Sequence, residues 1–121
     1  MGQGGAPAPA GPYRAAVRHG DLLFCSGQIA LDPESGEMVR DGSAAEMRQC
    51  MENLAAVCAE HGTDLRRALR LTIYTTQMGN FAELNEVYAS FFASDLPARA
   101  AVGVTSLPRG AVVMVDAIVS I

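Results

Sequence analysis

The stretch that decides the fold is Val112-Val113-Met114-Val115-Asp116-Ala117-Ile118-Val119, close to the end of the chain. Apolar side chains occupy both alternating sets of positions, and Asp116 is the only charged residue among the eight. A strand with this pattern is expected to bury both of its faces. A carboxylate among such neighbours is costly unless it is paired or hydrogen-bonded. The stretch therefore predicts a strand covered on both sides, with one acid that needs a polar partner.

A second apolar stretch, Leu96–Val104, also contains a single charged residue, Arg99. Pro97 predicts a turn that leads into a strand. The Arg99 guanidinium is planar and is shaped to hold a carboxylate with two parallel hydrogen bonds. Arg99 and Asp116 together indicate a small polar site in an apolar wall. The alternative is that each lies at a strand edge facing water, and the strands alone favour neither interpretation.

Alternation, helical periodicity and turn residues predict the remaining elements. The residues His19-Gly20-Asp21 carry a hairpin signal between two short strands, and Gly62 is placed to end a helix. The expected elements, in order, are strands over 15–18 and 22–28, a helix over 43–61, a strand over 69–76, a helix beginning near 80, and the two strands described above.

Two finer predictions concern where side chains point. Strict alternation along the second strand places Ser26 and Gln28 on one face and Gly27 on the other. Ser43 and Glu46 have the spacing of a capping box, in which each side chain bonds a backbone N–H at the start of the helix.

The order β-β-α-β-α-β-β predicts an α+β fold, a two-layer sandwich in which two helices cover one face of a mixed sheet. Residues 1–10 are rich in Gly, Ala and Pro and are expected to be a flexible tail. Residues 11–121 are expected to form a single domain. Because two helices are too few to cover both faces of the sheet, the second face is expected to meet another copy of the chain.

Composition limits the function. The 121 residues are 50% hydrophobic and 18% charged, with no apolar run long enough to cross a membrane and no signal pattern at the N-terminus. A cytoplasmic protein is therefore expected. The net charge is −4 and all nine basic residues are Arg, so a nucleic-acid partner is not favoured.

The three cysteines, Cys25, Cys50 and Cys58, are odd in number and lack the C-x-x-C spacing of a metal or redox site. They are expected to be reduced thiols in or near the core, with no metal bound. A nucleophilic cysteine needs a base nearby. Since His19 and His61 both lie beside glycines in predicted turns, a catalytic thiol is not favoured.

Many short motifs stand in the order and spacing of one known family. They are Gly11-Pro12-Tyr13, Ser26-Gly27-Gln28-Ile29, Asp32-Pro33 with Gly36-Glu37, Asn80-Phe81, Asn85, Tyr88, Phe91-Phe92, Pro97-Ala98-Arg99 and Leu107-Pro108. The chain resembles the RidA/YjgF/UK114 family from about Ala6 to Ile121, which is nearly its whole length. The resemblance implies a chorismate-mutase-like fold, a homotrimer, and ligand clefts between subunits. It also implies cofactor-free hydrolysis of reactive enamines and imines, such as 2-aminoacrylate and 2-iminobutanoate, to 2-keto acids and ammonia.

The resemblance also implies roles for individual residues. Arg99 matches the arginine that holds the substrate carboxylate. Asp116 falls where the deaminases usually carry a glutamate that positions the attacking water, which makes it the second catalytic candidate. The positions that match other cleft residues are Tyr13, Ser26, Gly27, Asn85 and Ala101.

Three positions depart from the family pattern. Asp116 is one methylene shorter than glutamate, and a misplacement of about 1 Å can cost on the order of 100-fold in rate. Ala101 stands where many deaminases have a cysteine, and Gly103 where they often have a glutamate. The binding half of the implied site is retained, whereas the catalytic half is altered.

These departures keep several functions open. The resemblance favours an imine deaminase acting on a small carboxylate-bearing imine. A non-catalytic trimer that binds a carboxylate such as a keto acid is a second hypothesis, and an enzyme for a bulkier imine or enamine is another. A ribonuclease, an activity assigned to some family members, is least favoured because the chain is acidic and has neither lysine nor paired histidines.

Overall fold

The seven predicted elements form in the predicted order, and a computed structural model describes them within residues 5–121. Three single turns of 3-10 helix lie between them, at Leu65–Arg67, Met78–Asn80 and Pro108–Gly110. The elements are β1 (Ala16–His19), β2 (Leu22–Gln28), α1 (Ser43–Glu60), β3 (Ala68–Thr75), α2 (Phe81–Ala89), β4 (Ala98–Gly103) and β5 (Val113–Ser120).

One mixed sheet holds the five strands in the order β1-β2-β5-β3-β4. β3 and β4 run parallel, because the chain crosses over through α2 between them, and all other neighbours are antiparallel. The decisive stretch, as β5, is the middle strand. β4, which carries Arg99, lies at one edge of the sheet.

The two helices pack on one face of the sheet and enclose the core, which confirms the predicted α+β sandwich. α1 contacts α2 and lies across β2 and β5. The fully buried side chains of this layer include Met47, Met51, Leu54, Leu71, Ile73, Leu84, Val113, Val115 and Val119.

The opposite face of the sheet, called the open face below, is not covered by any helix among residues 5–121 of one chain. Along β5 the buried residues Val113, Val115, Ala117 and Val119 alternate with the half-buried residues Met114, Asp116, Ile118 and Ser120. Within one chain only one face of this strand is covered, as expected with two helices, and cover of the other face by a second copy stays a prediction. On the same face Val17, Phe24 and Val102 are between 40% and 50% exposed.

The predicted capping box does not form. The backbone turns at Gly42, whose φ of 103° favours glycine, so Ser43 is already the first helical residue. The Ser43 hydroxyl donates to Gln77 Oε1 at 2.6 Å, and Glu46 Oε1 accepts the Val112 N–H at 3.0 Å. Both side chains are buried and join the helix to the loop after β3 and to the start of β5.

The predicted face of Gln28 is also wrong, because β2 contains a bulge. Cys25 pairs with Ala117 and Gln28 with Val115, so two residues of β2 lie opposite the single residue between those partners. The extra residue moves Gln28 onto the buried face, where it is 8% exposed.

Residues 1–4 of the predicted tail lie outside the described residues, and 5–10 have no regular secondary structure. The Ala6 N–H donates to Glu60 Oε2 at 3.0 Å, and Pro7 is buried. This part of the chain therefore lies against the end of α1. Within residues 5–121, no helix is both long and apolar enough for a membrane span.

Candidate functional site

The Arg99 side chain lies between β4 and α2, where neighbouring side chains hold its guanidinium in place. Arg99 pairs with Leu71, which is fully buried beneath the helices, so its side chain leaves the sheet on the helical side. Its guanidinium carbon lies 5.2 Å from the centre of the Phe81 ring and 4.9 Å from that of the Tyr88 ring. Nη1 donates to Asn85 Oδ1 at 2.6 Å. Two aromatic faces and one hydrogen bond therefore orient the cation.

Arg99, Asn85 and Tyr88 line a cleft of about 390 Å³ between α2 and the start of β4. A guanidinium has five N–H donors, and only one of those of Arg99 is used within residues 5–121. The Tyr88 hydroxyl beside it is buried and has no hydrogen-bond partner within the same residues. Burial raises the pKa of Tyr88 although the Arg99 charge opposes the shift, so the hydroxyl remains a neutral donor. The cleft thus offers several donors to an anionic ligand.

Ala101, another predicted site residue, lies on β4 and on the same face of the sheet as Arg99. It lies two residues further along β4 and pairs with the buried Ile73. Arg99, Asn85 and Ala101 are called the edge group below.

Asp116 lies on the other side of the sheet. It pairs with Thr72 of β3, is half-buried on the open face, and accepts a hydrogen bond from the Tyr74 hydroxyl to Oδ2 at 3.0 Å. Burial raises the pKa of Tyr74, and the hydrogen bond to the Asp116 carboxylate and that negative charge raise it further. The phenol is therefore a steady donor that orients the carboxylate, as the sequence predicted an acid in this strand would need.

The bulge in β2 lies directly opposite Asp116. Its two residues are Ser26, whose hydroxyl donates to the Arg14 carbonyl at 2.6 Å, and Gly27. A Cβ on Gly27 would lie 2.9 Å from Met114 Sδ, so the close approach of the two strands favours glycine here. Tyr13, half-exposed just before β1, lines the same cleft as Gly27. Tyr13, Ser26, Gly27 and Asp116 are called the bulge group below.

One chain does not bring these two groups together. Arg99 and Asp116 are separated by β3, a distance of two strand spacings or about 10 Å, and they point to opposite sides of the sheet.

The sequence predicted Asn85 as a site residue but not the aromatic residues that orient the two charges. Phe81 and Tyr88 follow helical spacing on α2, and this spacing does not reveal which strand they meet. Tyr74 has no local signal that links it to Asp116, since the two are neighbours only through the sheet.

Cys25, Cys50 and Cys58 are free and buried, and burial raises the pKa of Cys50 well above that of an ordinary thiol. Across residues 5–121 there is no cluster of three or more His, Cys, Asp or Glu side chains that could hold a metal ion.

Comparison with known proteins adds independent information. The family model described as Endoribonuclease L-PSP matches residues 3–121. Protein DfrA of Myxococcus xanthus is 48% identical over 115 residues, which cover 93% of this chain and 88% of that protein. The 2-iminobutanoate/2-iminopropanoate deaminase of Mus musculus is 40% identical over 113 residues, covering 93% and 84%.

Solved structures agree with the sequence matches. RidA from the Antarctic bacterium Psychrobacter superposes with a TM-score of 0.93 at 39% identity, over 98% of this chain and 95% of that one. E. coli TdcF, solved with bound serine, has a TM-score of 0.91 at 31% identity, over 98% and 94%. The protein described here therefore belongs to the RidA/YjgF family.

Proposed function

We propose that the protein hydrolyses reactive 2-imino acids and their enamine forms, of the 2-aminoacrylate and 2-iminobutanoate type, to 2-keto acids and ammonia. The observation that carries the proposal is the oriented Arg99 guanidinium, whose free donors line a cleft large enough for a small carboxylate. Relatives at 35–40% identity carry the name of this deaminase. The bound serine of TdcF, itself a small amino acid, supports a carboxylate-bearing ligand for this fold.

The proposed site combines the edge group of one copy with the bulge group of another. A small imino acid carries its carboxylate on the carbon that reacts, so it cannot span the sheet that separates Arg99 from Asp116 within one chain. A closed ring of three copies would give each copy the same two contacts. The half-exposed apolar side chains of the open face support such a contact, because patches of this kind mark interfaces.

In the mechanism, Arg99 holds the carboxylate through two N–H donors and fixes the imine carbon beside a water molecule. The water oxygen attacks that carbon while Asp116 takes a proton from the water, and the proton passes to the nitrogen. A second proton, given up by the new hydroxyl group, then passes through Asp116 to the nitrogen, so that the C–N bond breaks, ammonia leaves, and the C–O bond becomes the carbonyl of the keto acid. Tyr74 holds Oδ2, which leaves Oδ1 for the water. No cofactor takes part in these steps.

The test is the release of keto acid from 2-aminoacrylate generated by a serine or threonine dehydratase. We expect the protein to accelerate pyruvate formation above the spontaneous rate and Arg99→Ala to abolish the acceleration. Arg48→Ala is the matched control, because Arg48 is exposed on α1 away from both groups, and it should keep full activity. Unchanged activity in Arg99→Ala would overturn the assignment.

A non-catalytic carboxylate-binding protein is the second candidate. The observation that favours it is Asp116, which is one methylene shorter than the glutamate of the deaminases. Calorimetric titration with 2-ketobutanoate distinguishes the two functions, since this candidate predicts binding that depends on Arg99 together with no acceleration of imine hydrolysis.

A further inference from the structure

The bulge group continues into a second cleft, which the proposed chemistry does not use. This cleft, called the side cleft below, has a volume of about 280 Å³ and lies between the irregular segment 7–10 and the end of β2. Its walls are mainly apolar and include Pro9, Tyr13, Gly27, Ile29, Leu31 and Met114.

The side cleft is continuous with the proposed reaction site. Tyr13 and Gly27 belong both to the bulge group and to its walls. Met114 lies two residues before Asp116 on the same face of β5, and it is the residue against which Gly27 packs. A substrate whose reacting carbon lies at Asp116 therefore has this cleft open on its Gly27 side.

The rim of the side cleft is held by the turn before β5. Arg109 adopts a left-handed conformation with φ 59° and ψ 24°, which is uncommon for a residue other than glycine. Its carbonyl accepts a hydrogen bond from Arg40 Nη2 at 2.9 Å, which ties the turn in place. Arg109 also lines the cleft and is exposed, which makes it the one charged residue among the lining residues within 5–121.

The size of the side cleft exceeds what a small imino acid requires. A cavity of about 150 Å³ with apolar walls is large enough to bind benzene. The methyl or ethyl group of 2-iminopropanoate or 2-iminobutanoate would leave most of about 280 Å³ empty. Ala101 and Gly103 stand where many deaminases carry larger side chains, so they also leave space free near the edge group.

We propose that the side cleft binds the substrate side chain and selects 2-imino acids with a branched or aromatic apolar group, such as those formed from leucine or phenylalanine. This proposal rests on the proposed deaminase function. Each additional methylene transferred from water to apolar walls improves binding by about fourfold. Three added carbons are then expected to raise kcat/KM by about 60-fold over the imine of alanine.

The experiment uses an L-amino-acid oxidase, with catalase, to generate imines from alanine, leucine, phenylalanine and glutamate. Semicarbazide traps the imine that remains, so the deaminase lowers the rate of semicarbazone formation. We expect the leucine and phenylalanine imines to be the better substrates. Comparable activity on all four, or preference for the glutamate imine at the Arg109 rim, would overturn the proposal, whereas no activity on any imine would overturn the proposed function itself.

A variant that fills the side cleft tests whether the substrate side chain binds there. Ala10→Phe adds a ring at an exposed position that lines the side cleft, outside the core. It is expected to lower the ratio of kcat/KM for the phenylalanine imine to that for the alanine imine by tenfold or more, on the order of two methylenes of lost contact. Ala59→Phe, at an exposed position of α1, is the matched control and should leave the ratio unchanged. An unchanged ratio in Ala10→Phe would show that the side chain binds elsewhere.

Discussion

Two inactive variants should restore activity to each other if the site is shared between copies. Arg99→Ala removes the carboxylate anchor from the edge group, and Asp116→Asn removes the proton acceptor from the bulge group. Neither homo-oligomer then contains a complete site. In a mixed oligomer, a site is complete where an Asp116→Asn copy supplies Arg99 and the neighbouring Arg99→Ala copy supplies Asp116.

The magnitude follows from the geometry. Arg99 and Asp116 point to opposite sides of the sheet within one chain. In the proposed shared site, one copy supplies Arg99 and a neighbouring copy supplies Asp116. With random assembly of equal amounts, each copy has an even chance of being either variant. Both requirements are then met at about one quarter of the sites in a closed ring.

The assay is imine hydrolysis after the two purified variants are mixed, unfolded in urea and refolded together. We expect about one quarter of wild-type activity, and about half for wild type mixed in the same way with Arg99→Ala. Mixing without refolding is the control for subunit exchange, and size-exclusion chromatography establishes that oligomers form. Refolded mixed oligomers that remain inactive would show that the two residues do not share a site between copies.

Three further variants test individual contacts. Tyr88→Phe removes a buried hydroxyl that has no partner within residues 5–121, so the free energy of unfolding in urea should rise by about 1 kcal/mol; a loss of stability would show that the assembled protein supplies a partner. Glu46→Ala leaves the half-buried Val112 N–H without its acceptor and should lower the same free energy by about 1–3 kcal/mol; an unchanged value would show that water replaces the carboxylate. Asp116→Glu restores the reach of the family glutamate and should raise kcat by about tenfold or more, and a lower kcat would show that the site is built around the shorter acid.

The fold was largely predictable because its signals are local. The apolar stretch 112–119 indicated a strand, and Gly62 indicated the end of the first helix. The structure contains both, with Gly62 in the left-handed conformation just after α1. The bulge at Ser26 and Gly27 was not predictable from alternation, since one added residue leaves the composition of a strand unchanged.

The sequence predicted the two charged residues of the candidate site but not how they are arranged in space. Arg99 and Asp116 stood out because each is alone in an apolar strand. Their partners, Tyr88 and Tyr74, depend on which helix and which strand lie next to them, and that information is long-range. The separation of the two charges by the sheet follows from strand order, which the sequence pattern did not specify.

The most direct measurement is a crystal structure of the protein with 2-ketobutanoate, the stable product of the proposed reaction. We expect the carboxylate to lie on two N–H groups of Arg99 at about 2.8 Å. We also expect a water molecule about 3 Å from both the keto carbon and Asp116 of the partner subunit. A ligand bound away from Arg99, or an Arg99 cleft that faces solvent with no second copy beside it, would contradict the proposed function.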